Sequence, residues 1–319
     1  MKARIMKTIT LGRSPLISSR IAYGAWRLAG TWDPSQVTPE REARSREAVL
    51  AAVEAGFTLF DHADIYCDGL AETLFGRVLS EIPDLRPRIL IASKCGIRKP
   101  GDSTPSSPYR YDFSASHILE SCEKSLQRLG TDHLDLYQLH RPDVLCDPAE
   151  VADAFARLKE SGKALHFGVS NFRPSQVAML QQACPMPLLV NQVEIHLDHL
   201  APFNDGTLDQ CLERGMTPLA WSPLGGGRLA NQSVGDLRDP DHARKLKLHE
   251  VLGAVGRDRG LNHAQVALAW LLRHPAGIVP IIGTLTPTRI QEAAATADVE
   301  LTREEWYHIY EAALGHRMA

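Results

Sequence analysis

The sequence predicts a closed (β/α)8 barrel on two grounds: a repeated helix–glycine–strand phrase, and eight apolar runs separated by helical stretches without a break in composition. The phrase reads Glu54-Ala55-Gly56 before Phe57 to Phe60, and Arg128-Leu129-Gly130 shortly before Leu134 to Leu139. It returns as Glu160-Ser161-Gly162 before Ala164 to Val169, and as Glu213-Arg214-Gly215 before Met216 to Trp221. Glycine just past a helix end takes a left-handed conformation that other residues adopt only at a cost. The runs that follow are too apolar for half-exposed strands, as a parallel sheet covered on its outer face requires. An open doubly wound sheet is the competing architecture, but no GxGxxG follows the first strand.

Taken in order, Ile5 to Leu16, with Gly12-Arg13 at its middle, predicts a short β-hairpin ahead of the barrel. Strands follow near Arg20–Tyr23, Thr58–Phe60, Ile89–Ser93, Leu134–Leu139, Ala164–Val169, Leu188–Val193, Thr217–Trp221 and Ile278–Ile282. Ile118, Cys122, Leu126 and Leu129 recur at helical spacing and mark one buried stripe. Asp147, Pro148 and Glu150 fit N-cap, N1 and N3 of a capping box that opens a helix to about Ser161. Pro223-Leu224-Gly225-Gly226-Gly227 opens a loop of about twenty residues, a length that is usually functional or disordered. A helix begins at Thr286-Pro287, with Arg289 in its first turn. No linker or low-complexity tract interrupts the chain, so residues 1–319 read as one domain.

Composition narrows the function. A formal charge of −3 is too small to mark a nucleic-acid surface. No run approaches the roughly 18 apolar residues of a membrane span. The basic N-terminus leads into Thr8, Gly12, Arg13 and Ser14 rather than an apolar signal core, so a cytoplasmic protein is expected. The six cysteines stand singly, as reduced thiols do in that compartment. No interface feature stands out, which leaves monomer as the default.

Barrel active sites lie at the C-terminal ends of the strands and in the loops that follow. The second strand ends in Asp61, with Tyr66 five residues on; the third ends in Lys94 and the fourth in His140. A hydride arriving at a carbonyl carbon leaves negative charge on oxygen, so a proton donor must stand close by. Tyrosine can donate, and a neighbouring ammonium such as Lys94 is expected to lower its pKa. Asp61 would hold Lys94 charged, and His140 would hydrogen-bond the substrate oxygen. Each residue alone has a structural explanation, such as a helix N-cap for Asp61; their coincidence at three successive strand ends favours chemistry.

The remaining strands read differently. Ser170-Asn171 ends the fifth, Asn191 and Gln192 lie on the sixth, and all could orient a planar carboxamide. Trp221-Ser222 ends the seventh with an aromatic face suited to stacking on a flat ring. Gly283-Thr284 ends the eighth, and barrel phosphate sites favour the loops after the last two strands. Arg289 at a helix start opposes the helix dipole, a conflict that a bound anion would remove.

The chain resembles the aldo-keto reductase family over nearly its whole length. The resemblance rests on Asp61-His62-Ala63-Asp64-Ile65-Tyr66, Ser93-Lys94, Leu139-His140, Gly168-Val169-Ser170-Asn171-Phe172, Asn191-Gln192, Ser222-Pro223-Leu224 and the Gly283 to Glu292 segment. It implies a catalytic tetrad of Asp61, Tyr66, Lys94 and His140, with Tyr66 as general acid. It implies no metal, and NADP(H) across the barrel mouth, with nicotinamide held by Ser170, Asn171 and Gln192 against Trp221. The cofactor set it suggests continues through Ser222, Leu224 and Gly225, with Thr284, Leu285 and Arg289 at the 2′-phosphate and Glu292 nearer the adenine. Two positions depart from the family pattern: Gly283 stands where many members carry lysine, and Ala293 replaces a common asparagine.

The resemblance therefore points to reduction of small carbonyl compounds by NADPH. Trp26, Trp32, Tyr109 and Tyr111 are expected to line an apolar, partly mobile substrate mouth. Two other functions fit less of the pattern. An NADPH-binding regulatory subunit would need a partner surface that nothing in the sequence marks. A phosphate-binding isomerase or aldolase with a Schiff base on Lys94 would leave Tyr66 unexplained.

Overall fold

The computed structural model describes residues 6–230 and 238–318. Strands β1 (Thr8–Thr10) and β2 (Ile17–Ser19) form an antiparallel hairpin with Thr10 opposite Ile17. The predicted hairpin ended at Leu16, but Ser14 accepts from Leu16 N and donates to Leu11 O, which keeps Leu16 in the turn. Its expected start, Ile5, lies outside the described residues.

Then come β3 (Ala22–Gly24), α1 (Pro39–Glu54), β4 (Leu59–Asp61), α2 (Leu70–Glu81) and β5 (Leu90–Cys95). A small hairpin that the sequence did not announce, β6 (Ile97–Arg98) with β7 (Arg110–Tyr111), leads to α3 (Ala115–Leu129). Next are β8 (Leu134–Leu139), α4 (Pro148–Glu160), β9 (Ala164–Ser170), α5 (Pro174–Ala183), β10 (Leu188–Glu194), α6 (Thr207–Arg214) and β11 (Thr217–Trp221). Two helices, α7 (His242–Arg259) and α8 (His263–Leu272), separate β11 from β12 (Val279–Ile282). The chain ends with α9 (Pro287–Ala295) and α10 (Arg303–Leu314).

Strands β3, β4, β5 and β8 to β12 close an eight-stranded parallel barrel, sealed where Ile281 and Ile282 pair with Ala22 and Tyr23. The open sheet is thereby excluded. Inward residues Leu59, Ala92, Leu136, Val190, Leu219 and Val279 share one cluster with Leu11 and Leu16 of the hairpin. The hairpin therefore caps the barrel at its N-terminal end, leaving the C-terminal rim open for a site.

The helix starts and stops follow the expected chemistry with one exception. Gly130 terminates α3 at φ 64°, and Ile118, Cys122, Leu126 and Leu129 are all buried. Asp147 caps α4 by accepting from Ala149 N, but there is no capping box, because Glu150 instead accepts from Ala115 N at the start of α3. On the outer layer Trp270 and Trp306 stack at 4.9 Å, each indole N–H donating to the other's carbonyl. This contact ties α8 to α10. No helix among the described residues is long and apolar enough to cross a membrane.

Candidate active site

Strand β5 continues past the predicted Ser93 to Cys95, so Lys94 lies inside the ladder, paired with Gln138 of β8. The sequence run breaks at Lys94 only because the barrel lumen turns polar near its rim. Lys94 is fully buried, and its three donors all find acceptors. Nζ lies 2.8 Å from the Asp61 carboxylate, 2.6 Å from the His62 carbonyl and 3.4 Å from the Tyr66 hydroxyl. Gln192 Nε2 donates to the other side of Asp61 at 3.0 Å. His140 completes the cluster, its ring 5.9 Å from that of Tyr66 and nearly perpendicular to it. The structure thus brings all four predicted residues to one rim.

Burial works against the Lys94 ammonium, yet Asp61 and Tyr66 overcome it and raise its pKa above the ordinary lysine value. For Tyr66 the expected lowering by Lys94 is present, but it does not set the net direction. Burial, the dominant influence, raises the phenol pKa; Lys94 pulls it down, and Asp61 pushes it up again. Tyr66 is consequently a fully protonated donor at neutral pH. Burial, followed by Lys94 and Arg141, drives His140 well below the usual histidine value, so its imidazole is neutral. Cys95 is buried and its thiol is pushed up, which removes it as a nucleophile.

Behind Lys94 lies a second polar layer. Buried Glu72 accepts from Ser93 Oγ at 2.6 Å and from Arg128 Nε at 2.7 Å. Burial and the Glu72 charge raise the Asp64 carboxyl to about 8, and its Oδ1 is an enclosed atom without a partner. An acid whose folded pKa exceeds its unfolded value of about 3.9 loses stability as pH climbs between the two. Asp64→Asn is therefore expected to raise the thermal midpoint more at pH 8 than at pH 5. An equal shift at both pH values, read by thermal unfolding, would remove Asp64 as the cause.

The predicted nicotinamide set forms one hydrogen-bonded string. Ser170 Oγ donates to the Gln192 carbonyl at 2.8 Å, and Asn171 Nδ2 reaches Ser170 Oγ and the His140 carbonyl at 2.8 and 3.1 Å. Trp221 Nε1 donates to Asn171 Oδ1 at 2.9 Å, fixing the indole. Asn171 has φ 63° and Ser222 φ 50°, left-handed conformations that cost energy in non-glycine residues and cluster at functional sites. Asn191 points away from this string and brackets Phe172, accepting from its N–H and donating to its carbonyl.

Beside the string runs a groove of about 290 Å³. Of the predicted cofactor residues, Ser222, Leu224, Gly283, Thr284, Arg289 and Glu292 line it. Gly225 is buried beneath its edge, and Leu285 packs against the core. The sequence reading missed Arg27, Asn262 and Gln265, which also line it. Asn262 and Gln265 form a capping box on α8 and hold Glu292 through Asn262 Nδ2 at 3.0 Å; their N-x-x-Q spacing before an apolar run was the available signal. Part of the predicted glycine loop, residues 231–237, lies outside the described residues.

The groove fits an extended dinucleotide. Gly226 and Gly227 turn with positive φ at one end, and the exposed Arg289 cation stands in the first turn of α9 at the other. Gly283 is explained by its neighbour, since a Cβ there would fall 2.8 Å from Trp26 Nε1. The indole fills the space that a larger residue would need. Trp26 thus lines the groove, 5.9 Å from Trp32, and Trp32 in turn meets Tyr66 edge-on at 6.3 Å. Tyr109 is half exposed against Tyr111. Among the described residues no group of three or more His, Cys, Asp or Glu side chains could hold a metal ion.

The sequence model of the Aldo/keto reductase family matches residues 20–313. The chain belongs to this family. This aldo/keto reductase is 40% identical over 302 residues to a 6-dehydroglucose reductase of Agrobacterium fabrum, covering 94% of this chain and 96% of the relative. Among solved structures, an aldo/keto reductase from Klebsiella pneumoniae in complex with NADP and acetate superposes with TM-score 0.75 at 27% identity. That match covers 96% of this chain and 94% of the other. A glycerol dehydrogenase from Gluconobacter oxydans superposes with TM-score 0.84 at 25% identity, over 97% and 95% of the two chains.

Proposed function

We propose that this aldo/keto reductase reduces small aldehydes and ketones to alcohols with NADPH, Tyr66 acting as general acid. The observation that carries the reading is the buried Asp61–Lys94–Tyr66 chain with neutral His140 facing the phenol. NADPH, when bound, supplies the hydride. As negative charge grows on the carbonyl oxygen, Tyr66 gives up its proton, and Lys94 stabilises the phenolate left behind. Asp61 keeps Lys94 charged and in place. His140 directs the oxygen towards Tyr66. Ser170, Asn171 and Gln192 orient the carboxamide, Trp221 covers the ring, and Arg289 meets the 2′-phosphate. A Schiff base on Lys94 has little support, because its pKa is raised and its three donors are engaged.

The similarity to a 6-dehydroglucose reductase makes a sugar-derived aldehyde a reasonable first substrate. The direct test is aldehyde-dependent oxidation of NADPH by the purified chain; no oxidation with any aldehyde would refute the reading. Cofactor choice is tested separately. Arg289→Ala is expected to raise the NADPH Kd about 10- to 100-fold, the equivalent of one or two charge-assisted hydrogen bonds, and to alter the NADH Kd little. Equal weakening of both, by fluorescence titration, would take Arg289 off the phosphate.

A further inference from the structure

The rim, expected to be apolar at the substrate mouth, holds a guanidinium with no hydrogen-bond or ion-pair partner among the described residues. Arg141 directly follows His140 at the end of β8, and its Cζ lies 5.5 Å from the centroid of the Trp221 ring. It is half-buried, and makes no hydrogen bond or ion pair with any described residue. The acids around it are committed elsewhere. Asp61 is taken by Lys94 and Gln192, while Asp143 accepts from the Phe113 and Leu145 backbone N–H groups. Lys94 and Asp61 pair with each other, so the Arg141 guanidinium is a cation near Tyr66 and His140 with no carboxylate partner among the described residues.

A guanidinium presents five donors in a planar fork and no acceptor. Those donors lose hydration when the mouth closes on a ligand, and leaving them unmatched is costly. An alkyl aldehyde offers them nothing beyond the carbonyl oxygen, which Tyr66 and His140 already face. Two oxygens held close together, on one carbon in a carboxylate or on adjacent carbons in a diol, match the fork.

We propose that Arg141 is a substrate-binding residue, and that this enzyme's substrates carry an oxygen-rich group, vicinal hydroxyls or a carboxylate, within a few carbons of the carbonyl. The proposal rests on the reductase reading above and adds the class of carbonyl compound. The Arg141 guanidinium lies over the Trp221 ring, whose own N–H is held by Asn171. Trp32, which meets Tyr66 edge-on, and the half-exposed Tyr109 supply aromatic surface nearby.

The test compares three aldehydes of similar size, namely butanal, glyceraldehyde and succinic semialdehyde, with the wild type, Arg141→Met and Arg141→Lys. For the wild type, kcat/KM for at least one oxygen-bearing substrate is expected to exceed that for butanal about tenfold or more. Arg141→Met should lower that ratio by a similar factor, mainly through KM. Lysine keeps the charge and loses the fork. If the partner group is a carboxylate, Arg141→Lys retains much of the semialdehyde preference and added salt raises its KM; if it is a hydroxyl pair, Arg141→Lys loses the glyceraldehyde preference and salt has little effect. Titration of tryptophan emission with NADPH serves as the second readout. A loss of NADPH affinity in Arg141→Met as large as the change in KM would show that Arg141 merely props Trp221, and would overturn the proposal. So would a wild type that prefers butanal, although the reductase reading would then stand. Absence of turnover with all three aldehydes would remove both.

Discussion

Tyr66→Phe is expected to lower the rate of carbonyl reduction by about 10²- to 10⁴-fold, the usual contribution of a general acid, while NADPH binding persists. The hydroxyl has one hydrogen-bond partner among the described residues, Lys94 Nζ at 3.4 Å. Its removal leaves Lys94 with Asp61 and the His62 carbonyl, so the buried ion pair and the rim survive. Single-turnover oxidation of NADPH reads the loss of rate, and tryptophan fluorescence reads the retained affinity. A variant that no longer binds NADPH would make Tyr66 a structural residue. The pH profile adds a second check with a defined sign. Because burial raises the Tyr66 pKa above that of a free phenol, the wild-type rate should hold through neutrality and decline only in strong alkali.

Lys94→Met is expected to affect both stability and turnover. It leaves the Asp61 carboxylate buried with Gln192 as its one side-chain partner among the described residues, and breaking a buried pair in this way costs about 3–5 kcal/mol. Asp61→Asn combined with Lys94→Met removes both charges and should recover much of the stability without recovering turnover. Urea denaturation separates the two effects. Recovery of activity along with stability would mean that Lys94 serves the fold alone.

The barrel was legible because parallel strands covered on both faces write themselves as apolar runs, and glycines such as Gly130 mark the helix ends before them. Strand ends were less legible for the same reason. The third run was closed at Ser93, whereas β5 continues through the buried Lys94 to Cys95. The hairpin β6–β7 consists of two-residue arms, too short for any periodicity to register. The loop opened by Pro223 was given about twenty residues, in keeping with the start of α7 at His242, but that two helices precede β12 was not read.

At the site, the four rim residues could be named because each is an unusual side chain at a strand end. Their electrostatic balance could not. That Lys94 lowers the Tyr66 pKa is correct as a pairwise statement, but enclosure by neighbouring elements outweighs it. Trp26 was assigned to the substrate mouth from its place after the first strand, yet only the fold shows it lying on Gly283 and lining the groove. Arg141 drew no attention in sequence because arginine after a strand end is ordinarily solvated. Its interest lies in the acceptors it lacks.

The most direct measurement of the central claim is mass spectrometry of the alcohol formed from an aldehyde and NADPH dideuterated at nicotinamide C4. Carbonyl reduction at this rim should place one deuterium on the former carbonyl carbon in the wild type, and almost none under the same conditions in Tyr66→Phe. An unlabelled product, or a borohydride-trapped adduct on Lys94, would contradict hydride transfer assisted by Tyr66.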